Sequence, residues 1–170
     1  MRQRFFTVRR LGLLLGLTTV FVIGAVQSAA GASAIVVRGN QLLAGASSCP
    51  NADEGTYRMA GDLVGCWYTD SFDVVSENPG GGFRASGTEH FVGCLDTNGN
   101  GSCGAGEPTG RFNTTFTFTA KYAPSGDEIH GRCHHPIVGG SGAFAGASGE
   151  ISFKDIPSEG RFPYHGPISF

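Results

Sequence analysis

Between Arg111 and Tyr122 the chain alternates without a break. Phe112, Thr114, Phe116, Phe118, Ala120 and Tyr122 fall on one side, and Asn113, Thr115, Thr117, Thr119 and Lys121 on the other. Successive side chains on a strand point to opposite faces, so this spacing describes a strand with one dry face. Aromatic and β-branched residues suit such a half-buried, pleated surface. An apolar stripe at helical spacing is missing from the chain beyond its first segment, as is a capping box ahead of one.

Further strands are expected at Asp62 to Val75, Phe83 to Leu95, Glu128 to Val138, Gly149 to Lys154 and Tyr164 to Phe170. Asn78-Pro79-Gly80-Gly81-Gly82 and Pro124-Ser125-Gly126-Asp127 separate neighbouring candidates and read as hairpin connections. Short strands at regular spacing point to an all-β antiparallel barrel or sandwich, and closure into a barrel would remove the exposed strand edges. Residues 35–56 show little pattern and read as a flexible lead-in, although Ile35-Val36-Val37 could add a strand. The barrel domain is placed at 57–170, with no second domain.

The N-terminal residues have a different character. Arg2, Arg4, Arg9 and Arg10 precede the apolar run Leu11 to Val26, and Ser28-Ala29-Ala30-Gly31-Ala32-Ser33-Ala34 follows. A basic segment, an apolar segment and an A-x-A site describe a secretory signal peptide over 1–34, cleaved after Ala32 or Ala34. The run is short for a membrane span, which needs about 20 apolar residues. Four of the twelve Lys and Arg lie in this leader and none of the fourteen Asp and Glu. The remainder holds eight cations against fourteen anions, a net charge of −6 with histidines neutral. That balance argues against nucleic acid, and against a membrane surface once the leader is gone. All five cysteines follow the leader, so pairing in an oxidising, extracellular setting is expected, with one left over. Cys94 with Cys103, or Cys66 with Cys94, are the pairings considered. A reactive role for the odd thiol would need an activating environment, and none is visible.

The segment His135-Pro136-Ile137-Val138-Gly139-Gly140-Ser141-Gly142-Ala143-Phe144-Ala145-Gly146-Ala147-Ser148-Gly149, followed by Ile151-Ser152-Phe153-Lys154-Asp155, resembles the glycine-rich signature of the allene oxide cyclase and dirigent-like barrels. Tyr164-His165-Gly166 and the stretch Ser86 to Cys94 are similar as well. The resemblance covers 57–170 and implies a single eight-stranded antiparallel β-barrel with an interior cavity. It transfers no activity, because the plant cyclases' catalytic residues find no match here and a fold hosts many functions.

The sharpest local motif is Asp96-Thr97-Asn98-Gly99-Asn100-Gly101-Ser102-Cys103-Gly104-Ala105-Gly106-Glu107, inside a loop set at 94–107. It fits the calcium-loop pattern D-x-[DN]-x-[DN]-G-x5-E. Asp96, Asn98, Asn100, the Ser102 carbonyl and Glu107 would supply hard oxygen ligands to Ca²⁺. Strands flank the loop rather than helices, and only two ligands are charged. The expected affinity is therefore weak, roughly 10⁻⁴ to 10⁻³ M.

For acid–base chemistry the candidates are Glu89, His90 and His134. His90 could join His130 and His134 inside the barrel; Glu89 would serve instead if its face points inward. His135 points away from His134 by strand alternation. Phe112, Phe116, Phe118, Tyr122, Phe144, Phe153 and Trp67 would line a cavity for an apolar ligand or fill it as core. Asn113-Thr114-Thr115 is a glycosylation sequon, relevant only in a host that uses it. The expected function is an extracellular module that binds a small lipophilic ligand or plays a structural part, with a Ca²⁺ loop and association through barrel faces as a further option. The alternative is an isomerase or cyclase acting on an apolar substrate inside the barrel.

Overall fold

The structure, a computed structural model, describes residues 33–43 and 48–170. The expected leader lies outside the described residues, save for Ser33 and Ala34. Among the described residues no helix is long and apolar enough to cross a membrane.

Eight strands, β1 (Ile35–Leu43), β2 (Thr56–Gly61), β3 (Leu63–Glu77), β4 (Gly82–Leu95), β5 (Thr109–Tyr122), β6 (Glu128–Gly142), β7 (Ser148–Asp155) and β8 (Arg161–Ser169), follow one another around a closed barrel. Each is antiparallel to the next, and β8 returns to pair with β1. The all-β antiparallel barrel expected from the alternation is thus present, and β5 buries the face that its period-two pattern marked.

The lead-in expected at 35–56 is corrected. β1 is a full barrel strand, with Gly39 opposite both Gly61 of β2 and Tyr164 of β8. Its inward positions are Val37, Gly39 and Gln41, so a glycine and an amide interrupt the apolar signal that betrays other strands. Closure supplies the stability that local pattern does not: without β1, both β2 and β8 would present unpaired edges. β2 was likewise hidden, because its six residues are too few to show a period.

The interior divides in two. One end is solid. Trp67, Phe91, Phe112, Phe144, Met59 and Leu63 are fully buried there. Their rings meet edge-on or tilted, as Trp67 with Phe112 at 5.7 Å, Phe91 with Phe112 at 4.9 Å and Phe112 with Phe144 at 5.5 Å between centroids. These separations are typical of favourable aromatic pairs. Phe144 arrives from the glycine-rich turn between β6 and β7. A Cβ on Gly140 would stand 2.3 Å from the Phe144 carbonyl oxygen, so the turn folds back over this end only because residue 140 lacks a side chain. The other end is hollow and holds the site described below.

Two disulfides brace the outside, Cys49–Cys66 and Cys94–Cys103. The Cys94–Cys103 pairing is one of the two considered from sequence. Cys66 with Cys94 is corrected: Cys94 stands opposite Val64, and Cys66 opposite Val92, which leaves the two thiols offset along the strands. Cys66 instead ties β3 to the segment that follows β1. Cys133 is the free cysteine.

Candidate functional site

The hollow end encloses a cavity of about 630 Å³. Its walls carry Phe72, Phe83, Phe116, Phe118, Phe153 and Phe162, with Tyr57 and Tyr122 beside them. Phe116, Phe118, Tyr122 and Phe153 are thus cavity-lining, as one of the two sequence readings had it. Trp67, Phe112 and Phe144 belong to the packed core instead.

A bulge decides which part of β3 reaches the mouth. Thr69 pairs with Glu89, but Ser71 pairs with Thr88, so Asp70 is an extra residue. The bulge re-phases the strand and brings Phe72 to the cavity side, where its ring meets Phe83 and Phe116. Phe72 remains 54% exposed and forms an apolar lip.

At the cavity floor Glu89 of β4 and His135 of β6 form a buried pair, with His135 Nε2 2.7 Å from Glu89 Oε2. The Trp67 indole N–H donates to the same oxygen at 2.6 Å, and the Thr69 hydroxyl donates to Oε1 at 3.1 Å. With three donors the carboxylate is fully satisfied, which is what allows a charge-bearing group to sit here at 8% exposure. The bond to Glu89 places a proton on His135 Nε2. That Nδ1 is buried and has no partner. The His135 ring packs edge-on against Phe153 and Trp67, at 4.6 and 5.3 Å. Cys133 Sγ lies 3.4 Å from His135 Nε2. Burial, and then the Glu89 carboxylate, push its thiol well above the ordinary range, so Cys133 is an inert thiol.

A second acidic pair lies higher in the same cavity. Glu128 at the start of β6 and Asp155 at the end of β7 both line it. A Cβ on Gly131 would lie 2.5 Å from Asp155 Oδ2, 2.6 Å from Glu128 Oε1 and 2.7 Å from Phe118 Cε2. Both carboxyls and a phenylalanine edge therefore converge over one glycine. Burial first, and Asp155 second, push the Glu128 carboxyl up to about 7, and burial raises Asp155 too. Two carboxyls this close hold a proton between them, because like charges cannot both ionise cheaply. Glu128 Oε1 is buried and has no hydrogen-bond partner.

The histidine constellation expected from sequence is corrected. His90 lies on the outer side of β4, stacked on Tyr68 at 4.8 Å and 2.8 Å from Asp70. His134 is 57% exposed and pairs with Glu150 at 3.0 Å. His130 is exposed as well. The reason is parity: Glu89 and His135 occupy the inward positions, so their neighbours His90 and His134 face out. Of the three acid–base candidates the structure places Glu89 alone in the cavity. It supplies partners the sequence reading did not choose, His135, Glu128 and Asp155. The signal for His135 was available in the register, since it shares an inward phase with Cys133 and Ile137. The signal for Glu128 and Asp155 was not, because each stands at a strand end.

The 94–107 loop is organised by its own polar atoms. Asp96 accepts from the amides of Gly99, Asn100 and Gly101, Asn98 from Asn100, and Asn100 from Ser102. Glu107 accepts from Thr97 and Gly104, closing the loop on itself. The Gly101 amide is the foremost of those that hold the Asp96 carboxyl below the usual range. The five residues named from the motif thus lie in one loop, with Asp96 and Glu107 each bonded to its own set of amides.

Comparison of the chain with protein-family models, curated proteins and solved structures returned no match.

Proposed function

We propose that this is an exported barrel that holds a small lipophilic molecule in its hollow end. The observation that carries this reading is the aromatic cavity, whose volume lies inside the range of about 300–1,000 Å³ usual for small-molecule sites. An eight-stranded barrel is just wide enough to be filled by side chains or to hold one small ligand, and this one is filled at one end only. Two disulfides and the leader-like N-terminus support export to an oxidising compartment. The glycine-rich resemblance supports kinship with allene oxide cyclase-like barrels.

Titration with a neutral apolar fluorophore, N-phenyl-1-naphthylamine, tests the reading. Gln41 lines the cavity at 9% exposure, so Gln41→Trp should partly fill the space and weaken the enhancement while the protein stays folded. A probe that binds equally well to the filled variant, or not at all to the wild type, rejects it.

The buried Glu89–His135 pair supports a second reading, in which the barrel isomerises or cyclises an apolar substrate. His135 would move a proton and Glu89 would hold the ring in one tautomer. Mass spectrometry of ligands bound to wild type and Glu89→Gln after incubation with a host extract separates the two. An isomerase traps a different compound in the variant, whereas a carrier holds the same one in both.

We also propose that the 96–107 loop takes Ca²⁺ weakly. In support, Asp96, Asn98, Asn100 and Glu107 keep lone pairs beyond those used on amides. Millimolar Ca²⁺ should raise the melting temperature, and Asp96→Ala should remove the rise. A melting curve unmoved by either Ca²⁺ or chelator rejects the loop as a calcium site.

A further inference from the structure

We infer that the cavity selects a lipophilic cation, a protonated amine or quaternary ammonium carried on an apolar body, with its charge seated beside Glu128, Asp155 and the ring of Phe118. The inference rests on the cavity being a ligand site, as proposed above, and three independent features of the lining point to the sign of the ligand's charge.

The first is the charge inventory. Asp53, Glu54 and Asp70 stand at the rim and Glu89, Glu128 and Asp155 within, whereas none of the described lining residues is lysine or arginine and His135 is the one basic group. A carboxylate, sulfate or phosphate headgroup would meet like charge on every side and find no guanidinium or ammonium to receive it.

The second is which of those acids are already committed. Glu89 has three donors. Asp70 is held by His90, and Asp53 by Gly55 and Thr56 of its own turn. Glu128 and Asp155 have chiefly each other. Among the described residues, the buried polar atoms on the cavity wall without a partner are Glu128 Oε1 and His135 Nδ1, and an ionised Glu128 can only accept. Buried acceptors without donors are rare in folded proteins. A ligand that carries N–H groups or a positive centre supplies what the Glu128 oxygen lacks; a ligand that carries only acceptors leaves it unsatisfied.

The third is the surrounding rings. The Phe118 edge meets the carboxyl pair over Gly131, Phe83 lies 6.0 Å from Phe118, and Tyr122 lies 5.7 Å from Phe83. The edge of Phe118 is the positive rim of its quadrupole and complements the carboxylates, while the rings together give the apolar body of an alkylammonium ion a surface to pack on.

The seat is also pH-dependent. Below about pH 7 the Glu128 carboxyl beside Asp155 holds a proton that has to leave when a cation arrives, so binding there releases a proton. The other titratable groups facing the pair are Tyr57 on β2, Glu89 on β4, Tyr122 on β5, and Cys133 and His135 on β6. Tyr57, Tyr122 and Cys133 stay neutral, since burial raises each of them.

The test is displacement of N-phenyl-1-naphthylamine from the folded, exported protein by three matched compounds: (4-phenylbutyl)trimethylammonium, 4-phenylbutanol and 4-phenylbutyrate. The cation should compete at least about tenfold better than the alcohol, and the anion worse than either. The cation's advantage should fall by up to about tenfold per pH unit below roughly 7, as the pair reprotonates. The double variant Glu128→Gln, Asp155→Asn should keep the fluorophore and the alcohol but lose the preference for the cation. Removing a like-charged pair does not threaten folding, and retained fluorophore binding verifies it. If the alcohol competes as well as the cation, or the double variant keeps the preference, the inference is wrong while the receptor reading stands. If the fluorophore itself does not bind, both fall.

Discussion

Neutralising Glu128 alone should change how stability depends on pH, and the sign is fixed by the direction of its shift. The carboxyl rises from an ordinary value of 4.5 to about 7 in the folded protein, chiefly through burial. A group that binds its proton more tightly when folded stabilises the fold while protonated. The contribution is fully present below about 4.5 and is lost as pH rises through about 7. Taken at face value the shift is worth roughly 3 kcal/mol, since one pH unit corresponds to about 1.4 kcal/mol. Glu128 opens onto a cavity that water enters, and solvent screening reduces such an interaction, so about half that value, ~1.5 kcal/mol, is the working figure. For a domain of this size that corresponds to roughly 5 °C in melting temperature. Thermal melts of wild type and Glu128→Gln from pH 4 to pH 9 measure it. The wild-type curve should descend relative to the variant's between about 4.5 and 7, and the variant should be the more stable protein above pH 7. Two curves that stay parallel, or a wild type that gains on the variant as pH rises, would show that the carboxyls do not share a proton and that the pair is not buried as described.

Gly131→Ala should be destabilising by about 1–3 kcal/mol, the usual penalty for overpacking, because its methyl would stand 2.5 Å from Asp155 Oδ2. The same variant should flatten the pH dependence just described, which a melt series would register. Trp67→Phe keeps the packed rings but removes the indole N–H from Glu89, and leaving a buried carboxylate short of a donor should lower unfolding free energy in urea by about 1–3 kcal/mol. An unchanged midpoint would mean that water replaces the indole. Breaking Cys49–Cys66 by a double serine substitution should cost about 3 kcal/mol and breaking Cys94–Cys103 slightly less, since they close loops with sequence separations of 17 and 9. Equal midpoints for the two variants and the wild type would contradict this ordering.

What the sequence made legible follows from how locally each feature is encoded. β5 writes its inward face in aromatic residues two apart, and β3, β4, β6, β7 and β8 all lie where alternation and turn residues placed them, within a few residues. β1 was obscured because its inward positions are Val37, Gly39 and Gln41, which no hydrophobicity pattern marks. Its place is decided by closure, a property of the whole sheet. The acid–base residues show the same limit. Alternation correctly set His135 opposite in phase to His134, and Glu89 to His90, but nothing local says which phase is the inside. That is fixed by the strand's neighbours, through pairings such as His134 with Thr117 and His90 with Asn113. The Asp70 bulge adds a phase change that no spacing rule in β3 anticipates.

The hollow end itself has a simple origin in those inward positions. Along β6, from the packed end outward, they read Ile137, His135, Cys133 and Gly131; along β4 they read Phe91, Glu89, Gly87 and Ala85; along β7, Ile151, Phe153 and Asp155. On β6 and in the middle of β4 the side chains shrink or acquire charge in this direction, and β7 ends on a carboxyl. A barrel of eight strands has an interior that large side chains can just fill, so replacing them with Gly87, Gly131, Ala85 and Ala120 must leave space. Volume alone would be met as well by an apolar plug, and evolution of a structural barrel would favour one, since dry packing contributes more than wet acid. Half-buried paired carboxyls on the wall and an unpartnered imidazole nitrogen at the floor of that space are destabilising for a protein whose task ends with folding. They are intelligible if the free energy missing from the empty barrel is returned when something with a donor, or a positive charge, occupies it.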